Sequence, residues 1–595
     1  MSAVPLESSR LMDRAPEPAD PSAASQPERE LTARALIFGV VMGGLLAAGN
    51  VYTMLKTTFI DGGGITTALV GFAFFATFRR FSSRPYGALE NNIAATTASS
   101  AAIMGFAIGF PGAIPALELM GHHYPGWALA VWGIALGTVG IVLAGFLRRK
   151  LVLNERLPFP TGTATAEVID TISASRQTAM HRARLLVGTA LFAALFVWFR
   201  DGRPSLIPQM STLGGVVAGA SLSGLGVGVS WQPMLAAIGV LIGFRNALSM
   251  LVGAVVAWVV LAPWLANHGV IASATYAGAG PWLIWPGLGL LVASSFVPLV
   301  MDWRALARSF RDIPALLRRR GADAPVTLPS DRFRLAVPLF LVSVVLMLVV
   351  GRVAFHLSPV VTLVGLVIAL VLANVCARTA GETDMAPTGA MGTLTQLMFA
   401  GSGPVASLIA GSIAGGTATQ ASQTLWAFKA GDKLKASANA QMWAQLLGAA
   451  VGALVCVPVY FVITHAWGIG TVAMPAPSAL SWKATAEAVG GGLAAMPPYA
   501  FVAGTVGFCV GVLLTALGGT RLGRFAPSPA AMGIAMISPF AISMSIFVGG
   551  LAVVVVKKVF PKATDAAIMS VAAGGIAGES VMGVIVAALI TTGIL

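Results

Sequence analysis

The sequence predicts an all-α integral membrane protein, a polytopic bundle of about 14–16 transmembrane helices with broken or re-entrant segments. Three observations carry that prediction. Apolar residues make up 56% of the 595 positions and charged residues 10%, against roughly 45–50% and about 25% in soluble domains. A soluble chain so poor in charge could not clothe its surface, whereas a surface facing lipid can stay apolar. Apolar runs of about 20 residues, the length that crosses a bilayer core as a helix, recur along the chain. The basic residues behind the net charge of +14 fall in short loops between those runs, as cytoplasmic loops do under the positive-inside rule.

Residues 1–30 are rich in Pro, Ala, Ser and Glu and hold no apolar run. They read as a disordered cytoplasmic tail, with no signal-peptide pattern. The first membrane half is expected over 31–302, with spans at 35–58, 65–78, 91–110, 127–147, 184–199, 211–230, 247–266 and 284–301. A loop at 303–334 follows, and its eight Arg place it in the cytoplasm. The second half, 335–595, offers spans at 335–356, 359–377, 404–426, 439–466, 497–519, 540–556 and 566–592. Four apolar segments, 158–172, 231–243, 387–400 and 527–538, are too short to cross alone.

Two of those short segments begin alike, Pro160-Thr161-Gly162 and Pro387-Thr388-Gly389. A helix broken inside a membrane leaves backbone groups unpaired, which is tolerated where protein or a water-filled cavity surrounds them. In transporters such helices line the substrate site. Thr161, Thr163, Thr165 and Thr388 are therefore expected to face one shared cavity, their hydroxyls and freed N–H groups receiving a substrate carboxylate. Gly162-Thr163-Ala164-Thr165 recurs as Gly416-Thr417-Ala418-Thr419, each followed by a basic stretch and an apolar helix. That suggests two repeats in the same orientation.

Polar residues inside spans mark pathways. Asn50, Tyr52 and Lys56 end the first span, where Lys56 could equally snorkel to an interface. Glu90, Asn91 and Asn92 head a helix rich in Thr and Ser, a position the helix dipole alone would favour. Glu167 follows the first Pro-Thr-Gly break and is the first choice for a proton-coupling carboxylate; an ion pair with Arg156 or Arg176 is the plainer role. Gln396 and Gln420 could bind substrate or serve as interhelical glue. Glu579, alone in the last helix, is the rival coupling group. His122 and His123 read as a solvated loop pair. The three cysteines, Cys376, Cys456 and Cys509, show neither metal-ligand spacing nor a disulfide framework. No metal site and no cofactor are expected.

The segments Asn50-Val51-Tyr52-Thr53-Met54-Leu55-Lys56-Thr57, Leu89-Glu90-Asn91-Asn92 and, above all, Leu157-Pro158-Phe159-Pro160-Thr161-Gly162-Thr163-Ala164-Thr165-Ala166-Glu167-Val168 resemble the oligopeptide transporter family, which includes the yellow stripe-like transporters. Phe428-Lys429-Ala430-Gly431, Pro529 through Gly550 and Gly575 through Glu579 are similar to it as well. The resemblance runs from about residue 35 to 592. It implies proton-coupled uptake of short peptides or metal chelates through the plasma membrane, with protons, a small-molecule substrate and the lipid bilayer as partners. A homodimer is compatible with it. One departure, Lys56-Thr57-Thr58 where bacterial relatives carry Lys-Thr-Gly, leaves the substrate open.

Other classes find less support. No basic face with interleaved aromatics suits nucleic acid. There is no nucleotide-binding Gly-rich loop and no His-Glu-x-x-His or prominent Gly-x-Ser-x-Gly, so an enzyme is not expected. A passive channel or non-transporting structural membrane protein is the alternative, and membrane carboxylates speak against it.

Overall fold

The structure is a computed structural model that describes residues 29–78, 84–174, 176–301, 336–384, 386–491, 496–518 and 520–595. The expected tail, apart from Arg29 and Glu30, and the basic loop at 303–334 lie outside the described residues.

In chain order the helices are α1 (Ala33–Thr57), α2 (Gly64–Thr77), α3 (Ala88–Ala102), α4 (Met104–Ile108), α5 (Ala113–Leu119), α6 (Gly126–Arg148), α7 (Pro160–Ala174) and α8 (Arg176–Asp201). Next come α9 (Pro233–Ala254), α10 (Ala262–Asn267), α11 (Tyr276–Met301), α12 (Ala336–Val353), α13 (Pro359–Thr383), α14 (Thr388–Met398) and α15 (Pro404–Lys433). The last are α16 (Ala438–Trp467), α17 (Pro477–Gly491), α18 (Ala500–Gly518), α19 (Pro529–Ile537), α20 (Phe540–Val559) and α21 (Asp565–Thr591). Side-chain caps fix several starts: Ser437 accepts from the N–H of Ala440, Ser528 from Ala531 and Thr564 from Ala567, satisfying donors that have no intrahelical partner.

Among the described residues, 12 helices are long and apolar enough to cross a membrane. They answer to 12 of the expected spans, and three spans depart for separate reasons. Residues 65–78 form only the 14-residue α2, about 21 Å long at 1.5 Å per residue, short of the roughly 30 Å hydrocarbon core. Residues 211–230 are not helical. Their Gly and Ser fold into two antiparallel pairs, with Met210 opposite Ser230 and Val216 opposite Ser221. Residues 404–426 do form a long helix, α15, but its Ser, Thr and Gln content keeps it out of the apolar set.

The polarity of α15 reflects its position. It is buried from Ala406 to Leu425 save Thr419, packed against α6, α7, α13 and α14. A helix surrounded by other helices meets no lipid and can carry polar groups that bond to its neighbours. Small residues let it approach them: a Cβ at Gly416 would stand 2.2 Å from the Ala107 carbonyl oxygen.

The short segments are broken as expected. The 11-residue α14 turns at Ala400–Gly403 straight into α15, and the 9-residue α19 turns at Ser538 and Pro539 into α20. The chain breaks inside α9 at Gly243, whose φ of 79° and ψ of 161° suit glycine.

Candidate functional site

The first span ends at Thr58, whose φ of 65° turns the chain back. The following loop is pinned to α1 by Asn50. Its Nδ2 donates to the carbonyls of Asp61 and Ala102, both at 2.8 Å, and its Oδ1 accepts from the Asp61 N–H at 3.0 Å. Asp61 in turn leads into α2, its carboxylate accepting from the Gly63 N–H and the Thr66 hydroxyl, both at 3.0 Å.

A cavity of about 370 Å³ opens beside this loop. Thr161 and Thr165 of α7, Thr388 of α14, and Thr419, Ser422 and Gln423 of α15 line it, facing Asp61 with Asn92, Thr96 and Ser99 of α3. The two Pro-Thr-Gly segments therefore meet at one cavity. They are also tied to each other. Asp384, just ahead of the second segment, accepts from the Thr161 N–H at 2.9 Å and its hydroxyl at 2.6 Å. A carboxylate there complements the positive end of α7. A second tie is the Phe159 N–H on the Gly381 carbonyl at 2.9 Å, and a third is Arg378 against Glu155 at 2.8 Å.

Helix geometry decides which polar residues share the cavity. Thr161 and Thr165 are one turn apart and face it together. Thr163 lies about 200° around from Thr161, at 100° per residue, and its hydroxyl donates to the Pro158 carbonyl. The same geometry corrects the expectation for Glu167. Two residues beyond Thr165, it points away from the cavity, is 67% exposed, and pairs with Lys433 at 3.2 Å.

Other expected site residues serve elsewhere. Asn50 spends its amide on backbone. Asn91 donates to the Ala68 carbonyl at 3.1 Å, while its neighbour Asn92 lines the cavity. Gln420 donates to the Ser100 hydroxyl at 2.9 Å, which donates to the Gln445 carbonyl at 2.7 Å, a chain joining α15, α3 and α16. Gln396 is buried beneath α15 rather than on the cavity wall. Glu90 forms an ion pair with Arg34 and accepts from the Thr32 hydroxyl at 2.6 Å. That engagement accounts for it structurally.

Glu579 is not the isolated group it seemed in the sequence. Fully buried, it accepts from Arg200 at 2.9 Å and from the Met234 N–H at 2.7 Å. Arg200 also holds Asp201, with its Nε 2.9 Å from Oδ1. Tyr52 is buried too, its hydroxyl accepting from Lys56 at 2.7 Å. His122 and His123 are exposed in the loop before α6. Among the described residues no group of three or more His, Cys, Asp or Glu is placed to hold a metal ion.

Sequence reasoning missed Asp61 as a cavity residue. Its signal was a carboxylate just before Gly62-Gly63-Gly64 at the end of an apolar span. It also missed the stripe Asn92, Thr96 and Ser99, readable as one helical face at i, i+4 and i+7.

The cavity lies toward one end of the bundle. Its α15 residues run up to Ala430, near Lys433, and Arg148 at the end of α6 sits 5.7 Å from the Phe428 ring. Glu30, before α1, accepts from the N–H of Ser437 at the same end. Among the described residues Arg34, Arg148 and Lys433 make this a basic end of the molecule.

A family profile described as "OPT oligopeptide transporter protein" matches residues 30–590. A putative oligopeptide transporter of Saccharomyces cerevisiae is 23% identical, over 88% of this chain and 91% of its own length. The metal-nicotianamine transporter YSL2 of Arabidopsis thaliana is 22% identical, over 93% and 92%. A putative oligopeptide transporter of Haemophilus influenzae is 23% identical, over 91% and 93%. The chain belongs to the oligopeptide transporter family.

Proposed function

We propose that this member of the family is a proton-coupled symporter of the plasma membrane, importing short peptides or peptide-like metal chelates, with its basic end in the cytoplasm. The observation that carries the reading is the cavity shared by the two Pro-Thr-Gly segments, with Asp61 in its wall. At about 370 Å³ it falls within the roughly 300–1,000 Å³ of small-molecule sites. Its wall offers hydroxyl and amide groups suited to peptide-like polarity. The cargo classes follow from the relatives' names, oligopeptide transporter and metal-nicotianamine transporter.

Within this reading the coupling carboxylate is Asp61. It lines the cavity and makes no ion pair among the described residues, its carboxylate meeting only the Gly63 N–H and the Thr66 hydroxyl. Glu167 and Glu90 are bound to cations away from the cavity, and Glu579 is locked to Arg200.

Uptake by reconstituted vesicles tests the reading. Trialanine and Ni(II)–nicotianamine are supplied with and without an inward proton gradient. Accumulation of either above its external concentration only with the gradient is the expected result. Equilibration without accumulation indicates a passive channel, and no uptake of either ends the proposal.

A further inference from the structure

A second cavity, of about 260 Å³, lies at the opposite end of α1 from Arg34 and the basic end. It is lined by Lys56, Arg200, Asp201, Gln209, Gln232 and Trp467, among others, none of which belongs to the first cavity. Lys56 is 6% exposed, and its ammonium sits 4.6 Å from the Tyr52 ring centroid. An ammonium has three N–H donors. Two hydrogen bonds are made, to the Tyr52 hydroxyl at 2.7 Å and to Gln232 Oε1 at 3.1 Å. Both acceptors are neutral, and among the described residues Lys56 has no carboxylate within ion-pair distance. A buried cation with no carboxylate in direct contact is costly, so its place on a cavity wall requires a reason.

Arg200 does not share this condition. Its guanidinium is bracketed by Asp201 at 2.5 Å and Glu579 at 2.9 Å. The cluster of Arg200, Asp201 and Glu579 carries one net negative charge, and Lys56 one positive. The cavity is therefore close to neutral overall but carries both signs, with Lys56 and Asp201 both in its lining. Such a site disfavours a bare anion and suits a solute that carries a carboxylate and an ammonium together.

We propose that this outer cavity is an entry subsite in which Lys56 receives the carboxylate of a zwitterionic solute, as its third hydrogen-bond partner and its one direct carboxylate contact. The inference rests on the transport reading above, because peptides and nicotianamine chelates both present carboxylates. It adds a recognition step on the far side of the Thr58 turn from the first cavity. Lys56 lines the outer cavity and Ile60 through Ile65 line the inner one, so the segment between them separates the two.

The test measures binding to the full-length purified protein by titration calorimetry, using trialanine, trialanine amide and Ni(II)–nicotianamine as probes. Wild-type protein is expected to bind a free-carboxylate probe roughly tenfold or more tightly than Lys56→Gln does, the scale of one charge-assisted hydrogen bond. Lys56→Arg should keep most of the affinity. On wild-type protein, amidation of trialanine should cost a similar factor, an arm that depends on no variant folding. Equal affinity for the acid and the amide, undiminished binding to Lys56→Gln, or no binding of any probe to wild type would each overturn the inference. If wild-type vesicles accumulate a probe while Lys56→Gln binds it normally, the inference fails and the transport reading stands. If wild-type vesicles take up neither probe, the transport reading itself fails.

Discussion

Asp384 accepts both hydrogen bonds that Thr161 offers, from its N–H at 2.9 Å and from its hydroxyl at 2.6 Å. The two residues are 223 positions apart in the chain. Thr161 sits in the first turn of the helix that begins at Pro160, and Asp384 closes α13 just before the second Pro-Thr-Gly segment. The contact joins both broken segments at the mouth of the first cavity, so the position of each depends on the other.

Removing that carboxylate should loosen both segments. Asp384→Ala is expected to lower stability by about 1 kcal/mol, the typical worth of an N-terminal cap, and to reduce uptake more than stability. Thr161→Val keeps one of the two hydrogen bonds and should have the smaller effect. Thermal unfolding in detergent and initial uptake rates from the same preparations check both.

Asp61 and Glu167 separate cavity position from sequence position. Asp61→Asn should abolish gradient-driven accumulation while preserving exchange of substrate across the membrane, since exchange needs no net proton release. Glu167→Gln removes only an exposed pair with Lys433, whose worth is about 0–1 kcal/mol. It should accumulate substrate at close to the native rate. Reversal of that ranking would return the coupling role to Glu167.

Glu579 anchors a buried network rather than standing alone. Glu579→Gln strips Arg200 of one of its two carboxylates and should destabilise the protein by about 3–5 kcal/mol. Adding Arg200→Gln should cost much less than the sum of the two single changes, because the groups interact directly. Thermal midpoints of the two single variants and the double variant supply the comparison.

At Gly416 there is no room for a methyl group, since a Cβ would lie 2.2 Å from the Ala107 carbonyl oxygen. Gly416→Ala is expected to force α15 away from its neighbour at a cost of about 1–3 kcal/mol. Gly389, which has nothing within 4 Å of its would-be Cβ, is the control, and Gly389→Ala should fold normally. Yield of monodisperse protein and its melting temperature decide this.

Sidedness can be read by labelling in a background free of Cys376, Cys456 and Cys509. His123→Cys, in the exposed loop that precedes α6, should react with an impermeant maleimide on intact cells. Lys435→Cys, exposed after α15 at the basic end, should react only after the cells are opened. The opposite pattern would invert the assignment of the cytoplasmic end.

The sequence by itself determined the environment and the helical class, because hydropathy and charge placement are sums over composition and need no contacts. It located the 12 helices that, among the described residues, are long and apolar enough to cross a membrane, the broken segments at Pro160, Pro387 and Pro529, and the threonines at the first two breaks. Only the tertiary structure decided which polar groups share a space. Glu167 follows the break closely in sequence yet lies on the wrong side of its helix, and whether a 200° offset meets a cavity or solvent depends on where α15 packs. Glu579 looked solitary because Arg200, its partner, is 379 residues away in the chain. Residues 404–426 looked like one more apolar span until the packing of α6, α7, α13 and α14 around them showed their Ser, Thr and Gln to be interior. Local patterns report what a residue prefers to face, but long-range partners and cavity walls are set by how distant helices meet, and in one sequence those distances are not written.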